Sequence, residues 1–305
     1  FSRTVLERRK GSRLRTAQQK GGLDMNGLFA LIKSRVSVLA YVAVFDSTLI
    51  ISTGLKISPI LFIISTIAVY FISLVNYTLS DLLDVEEDKI NNPGRPLASG
   101  AVSKRVALLF IATLLAFVLI LGYFINFKFD LLLIFSFILS LIYSGPRIRA
   151  KSRWWSKLAI AGLGAFIDPF TVSSITGLSI SVLLMSIIYM LWGLFTLNVG
   201  DVLDYEGDKK TGVMTFAVTY GKDQAIKLLK AILMAQLITE ITLAMCVNFL
   251  DFIYIAFSGF LFVYFFKGLL KLESSADQRA IGKRLKKMTR ISMVILQLVT
   301  LSLLI

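Results

Sequence analysis

The chain contains no histidine and a single cysteine, Cys246. Without imidazole, any metal ligand or general base must come from carboxylates, tyrosine, lysine or the backbone. One cysteine excludes an intrachain disulfide, and its place inside an apolar run argues against thiol chemistry. Charge is also scarce: 17% of the 305 residues are charged and 56% are hydrophobic, with a mean hydropathy of +0.77. That composition excludes a soluble domain and describes a polytopic membrane protein. Residues 1–24 are basic and polar and lack the apolar core of a signal peptide. They read as an added leader or a loosely ordered arm, ahead of one transmembrane domain over residues 25–305.

Nine apolar segments reach roughly membrane-spanning length, near 36–53, 57–80, 105–125, 128–145, 157–175, 178–200, 226–247, 249–271 and 288–305. The expected fold is an all-α polytopic membrane protein, nine transmembrane helices in a bundle with a cavity facing the cytoplasm. Of the 33 basic residues, only Lys56 and Lys128 fall in the loops after spans 1, 3, 5 and 7. Cytoplasmic loops retain positive charge, so this asymmetry predicts an N-terminus inside, a C-terminus outside and an integral protein of the cell membrane. The net charge of +14 then serves membrane orientation and contact with anionic lipid rather than nucleic acid.

Within this apolar frame, SDLLDVEEDK from Ser80 returns as GDVLDYEGDK from Gly200. Asp81, Asp84 and Asp88 stand at i, i+3 and i+7, on one face of a helix, and Asp201, Asp204 and Asp208 repeat that spacing. Like charges stacked at the mouth of a hydrophobic helix repel one another. A cation supplied from outside the sequence is therefore expected, a divalent metal being the simplest. After the first motif, Asn92-Pro93-Gly94-Arg95-Pro96 holds Arg95 in a stiff turn. After span 4, Tyr143 leads into a basic run with Arg147, Arg149, Lys151, Arg153 and Lys157. Acid and base on one membrane face describe a site for a metal-bound polyanion.

Other features have plainer readings. Lys33 and Arg35 fit positive-inside anchoring, with a basic side chain turned into the cavity as the sharper alternative. Asp46 and Asp168, both deep in apolar runs, are expected to satisfy polar neighbours within the bundle, with substrate contact for Asp46 and a polar cavity lining for Asp168 as the alternatives. Gly162 and Gly164 would allow close helix packing, and Trp154 and Trp155 would anchor at the interface. The stretch LESSADQRAIGKRLKKMTR reads as a solvated orienting loop or a basic interfacial helix.

Mg2+ binds through one or two carboxylates plus phosphate oxygens and water, so two facing clusters suit two ions gripping a diphosphate. A site at the end of an apolar bundle leaves room for a long hydrocarbon tail, which points to a prenyl diphosphate. The motifs resemble those of the UbiA superfamily of intramembrane prenyltransferases, from residue 27 to 305. Its two Asp-rich motifs correspond to 80–88 and 200–208, and its third signature to YSGPRIRAK from Tyr143. The family's leading asparagine is Ser80 here, with Asn76 one turn earlier on the same stripe.

The resemblance implies Mg-dependent transfer of a prenyl group from an isoprenyl diphosphate to an aromatic or glycerophosphate-lipid acceptor. It implies metal ligation by Asp81, Asp84, Asp88, Asp201, Asp204 and Asp208, and diphosphate contacts from Arg95, Lys151 and Lys209. Asn76, Ser80, Arg147 and Asn198 are further substrate-binding candidates. Tyr143 would stabilise an allylic cation or position the acceptor, with Asp88 and Asp208 as catalytic carboxylates. Because INNPGRP stands after the first motif, the resemblance leans toward the ether-lipid, menaquinone or chlorophyll-synthase branches. The alternatives are a cation transporter, or a catalytically silent member, using the acidic clusters to bind ions.

Overall fold

The computed structural model describes residues 25–35, 37–54, 56–247, 252–275 and 277–302; the expectation for residues 1–24 lies outside them. Among the described residues the chain is helical, apart from one isolated bridge between Arg153 and Met214. A short helix α1 (Met25–Ser34) precedes α2 (Val38–Thr53) and α3 (Pro59–Leu83). Next come a short α4 (Val85–Asn91), α5 (Lys104–Tyr123), α6 (Phe127–Ser144), α7 (Trp154–Phe170) and one turn, α8 (Ser173–Thr176). The second half has α9 (Ile180–Leu203), α10 (Tyr205–Thr211), α11 (Phe216–Tyr220), α12 (Lys222–Cys246), α13 (Phe252–Ser274) and α14 (Gln278–Ser302).

Among the described residues a helix therefore stands at each of the nine expected spans. Seven of them are long and apolar enough to cross a membrane, while α2 is apolar but short. Helix α14 differs from the reading of its sequence: the basic stretch expected as a loop or a separate interfacial helix runs unbroken into the final apolar segment. Its only interior glycine is Gly282 and it contains no proline, so nothing local stops the helix.

Local chemistry sets the ends of the helices. Ser103, Asn126 and Ser179 cap α5, α6 and α9 by accepting a bond from the backbone N–H three residues on. Pro59 opens α3 at a position whose N–H has no helical partner. Gly54 closes α2 with φ +55°, in the left-handed region that favours glycine.

The helices close into a ring that runs from α2 through α3, α6, α7 and α9 to α14 and back to α2. Each motif helix also packs against the next long helix of its own half, α3 on α5 and α9 on α12. Each half has its own apolar core. One gathers Phe45, Ile72 and Phe129 around α3, and the other gathers Trp192, Phe195 and Phe265 around α9. The tightest approach between α7 and α9 is not at the expected glycines. Gly164 faces open space and a Cβ on Gly162 would meet only ordinary contacts, whereas a Cβ on Gly193 would lie 2.9 Å from that of Ala165. Trp155 is exposed, and Trp154 packs edge-on against Phe216 and Tyr220.

Candidate active site

Both Asp motifs interrupt their helix at the middle aspartate. Asp84 separates α3 from α4 at φ −103°, ψ 11°, and Asp204 separates α9 from α10 at φ −95°, ψ 8°. In each case the amide still reaches back four residues, to Ser80 O and Gly200 O at 2.9 Å. The repeat seen in the sequence is thus a repeat of backbone shape. The break also divides the three carboxylates that a continuous helix would have placed on one face.

Part of this charge is met by cations of the chain itself, alongside the cation expected from outside. Asp81, 2% exposed, accepts from the Arg35 guanidinium and from Arg95 Nη1 at 3.0 Å. Arg95 also reaches Asp88 at 2.6 Å, so one arginine bridges the two segments of the motif. Lys151 Nζ lies 2.5 Å from Asp84 and 2.8 Å from Glu87, which also pairs with Arg149. Lys157 Nζ lies 2.5 Å from Asp201. Asp204 and Asp208 make no ion pair among the described residues.

Between the motifs lies a cavity of about 150 Å³ lined by Tyr143, Lys151, Lys157, Asp208, Glu87 and Arg149. Tyr143 reaches it from the end of α6 and Asp208 from α10. Arg149 is held in the left-handed region at φ 45°, an uncommon conformation for a residue with a side chain. The bridge between Arg153 and Met214, with Met214 N donating to Ser152 O at 3.0 Å, ties the loop after α6 to the loop after α10. Burial raises the Asp208 carboxyl to about 6, with Asp201 and Asp204 adding to the shift and Lys157 opposing it. Burial also raises Asp84, against the opposing pull of Lys151.

Of the expected site residues, Tyr143, Lys151 and Asp208 meet in this cavity. Arg95 is held within the first motif. Asn76 and Ser80 face α6, where Asn76 Nδ2 donates to Ser136 Oγ at 3.0 Å and Ser144 donates to Ser80. Asn198 is fully buried one turn before Asp201, and its Oδ1 has no partner. Arg147 and Lys209 are exposed and do not line the cavity. Asp88, shielded by Arg95, does not line it either. Asp46 accepts from Thr66 Oγ1 at 2.7 Å, the intrabundle role expected of it. Arg35, Arg149 and Lys157 carry more of the site than sequence assigned them, and Glu87 was not singled out. Its place between Asp84 and Asp88 in the motif was the available signal.

The described carboxylates do not form a ready-made group of three around a metal position. The donor set nonetheless suits a hard divalent cation: aspartate oxygens on both motifs and an unpartnered amide oxygen at Asn198, with no nitrogen or sulfur donor.

Long apolar helices closed around a cavity lined by acid and base define an integral membrane enzyme. The model of the UbiA prenyltransferase family matches residues 38–291, and the chain belongs to that family and is a prenyltransferase. It is 25% identical over 247 residues to a digeranylgeranylglyceryl phosphate synthase of Methanocaldococcus jannaschii, covering 78% of this chain and 83% of that protein. A protein of the same name from Sulfolobus acidocaldarius is 33% identical over 193 residues, 60% of this chain and 66% of its own. The fold is that of a solved digeranylgeranylglyceryl phosphate synthase (TM-score 0.69, 22% identity, 90% of this chain and 96% of that one). It is also that of a UbiA homologue from Archaeoglobus fulgidus bound to GPP and Mg2+ (TM-score 0.67, 19% identity, 90% and 99%). A transporter role for the acidic clusters is not favoured.

Proposed function

We propose that this prenyltransferase moves a prenyl group from an isoprenyl diphosphate to the free hydroxyl of a glycerophosphate lipid, at a site on the cytoplasmic face. The observation that carries this reading is a cavity flanked by both Asp motifs and lined by three cations and a tyrosine. The names of the relatives favour the ether-lipid acceptor over a quinone or chlorophyll precursor.

In this reading Asp81, Asp84, Asp88, Asp201, Asp204 and Asp208, with Asn198 Oδ1, hold Mg2+, two ions at full occupancy. The bound metal neutralises the departing diphosphate. Lys151, Arg149 and Arg95 exchange their carboxylate partners for diphosphate oxygens, so the cations that quiet the empty motifs become the donor's clamp. Tyr143 turns its ring toward the allylic carbon as the C–O bond breaks. The acceptor oxygen bonds to that carbon, and Asp208 takes the hydroxyl proton. Asn76 and Ser80 fix α3 against α6 rather than touching substrate, and Arg147 and Lys209 attract anionic substrate from the rim.

The test is purified protein with labelled geranylgeranyl diphosphate, Mg2+ and three acceptors: geranylgeranylglyceryl phosphate, 4-hydroxybenzoate and dihydroxynaphthoate. Label is expected on the phospholipid alone, with transfer abolished by EDTA. Transfer to either aromatic acceptor with none to the lipid would overturn the acceptor assignment.

A further inference from the structure

The basic half of α14 is seated against the second Asp motif. A Cβ on Gly282 would lie 2.6 Å from the Leu203 side chain, and one on Gly200 would lie 3.1 Å from Lys286 Nζ. Glycine at both positions is what lets α14 come this close to the end of α9 and lets the lysine lie along its backbone. Lys286 is half-buried and within electrostatic reach of Asp201 and Asp204, yet it makes no ion pair or hydrogen bond among the described residues. The other cations of the site, Arg35, Arg95, Arg149, Lys151 and Lys157, each hold a carboxylate.

We infer that Lys286 is the residue that receives the phosphate of the acceptor lipid, a specificity determinant distinct from the clamp on the donor's diphosphate. An acceptor with its own phosphate brings a second anion to a face where the cations packed against the motifs each hold a carboxylate. A half-buried, unpaired ammonium beside the second motif can take that anion without breaking a pair within the protein. Partial burial strengthens the attraction. The position also suits transfer, because Lys286 comes from α14, whereas the cavity cations come from α7 and the loop before it.

This inference rests on the acceptor class proposed above, and the experiment separates the two. Steady-state KM values for donor and acceptor are measured for wild type, K286Q and K286R, with geranylgeranylglyceryl phosphate and with the same glyceryl ether lacking phosphate. K286Q is expected to raise the KM for the phosphorylated acceptor about tenfold or more, the scale of a hydrogen bond to a charged group. The donor KM and turnover of the phosphate-free ether should stay at wild-type values, and K286R should recover most of the loss. A thermal shift with the donor confirms that K286Q keeps its fold. If wild type transfers to the phosphorylated lipid but K286Q leaves its KM within twofold, or raises the donor KM equally, the inference is wrong and the acceptor assignment stands. If wild type does not use that lipid at all, both fall.

Discussion

Asp81 and Asp204 belong to matching motifs but should respond in opposite ways to losing their charge. Asp81 is buried beneath Arg35 and Arg95, so Asp81→Asn leaves two guanidinium groups short of a counter-charge. It is expected to destabilise the metal-free protein by about 1.5–3 kcal/mol, read as a lower melting temperature in detergent with EDTA. Asp204 is exposed, has no ion pair and lies near Asp201 and Asp208, so Asp204→Asn should leave that temperature unchanged or slightly higher. Equal losses in both variants would contradict the pairing described here. Asp208 supplies a pH test. Its carboxyl titrates near 6 in the fold against an ordinary value of 3.8, so between those values the folded state holds the extra proton and stability falls as pH rises. In EDTA the Asp208 contribution should therefore lower the melting temperature between pH 4 and pH 6, and Asp208→Asn should remove that part of the slope. The sequence made the six aspartates legible through their spacing, but not their partners. Arg35 lies 46 residues from Asp81 and Lys157 lies 44 from Asp201, and no local pattern links residues so far apart.

At the scale of the helix, the spans could be read because apolar length is written continuously along the chain. The breaks at Asp84 and Asp204 could not, since neither LLDVEE nor VLDYEG carries a proline or a glycine at the break itself. At Asp84 the turn is met by Lys151 from another part of the chain, whereas Asp204 has no ion pair among the described residues. Close packing was likewise misassigned because a glycine shows only that helices are able to approach, not which neighbour does so. Gly193→Ala would drive one Cβ into that of Ala165, and neither atom can rotate away. This variant should lose about 1–3 kcal/mol in a denaturation series, whereas Gly164→Ala, which points into open space, should behave as wild type. Comparable losses in the two variants would place the α7–α9 contact elsewhere.

For the molecule as a whole, the lone cysteine offers a direct reading of orientation. Cys246 is exposed at the end of α12, away from the helix end that adjoins the second motif. With the N-terminus inside, an impermeant maleimide added to intact cells should label Cys246. A cysteine placed at position 210 in a C246S background should stay unlabelled until the cells are opened. The reverse pattern would invert the topology and move the cavity to the outer face. The expected orientation rests on loop charge, which is legible in sequence alone. The cavity was not, because it exists only where loops from the two halves are tied together by the bridge between residues 153 and 214.

Four of the six motif aspartates, Asp81, Asp84, Asp88 and Asp201, already have counter-ions within the chain. Many metalloproteins stay unfolded until they are loaded, because the empty site is its own obstacle. Under the proposed function, Arg35, Arg95, Lys151 and Lys157 would let the metal-free chain assemble and persist through magnesium shortage by holding these carboxylates in place. Scarcity would then silence the enzyme without marking it for degradation, and activity would return when the ion does, with no need for new synthesis.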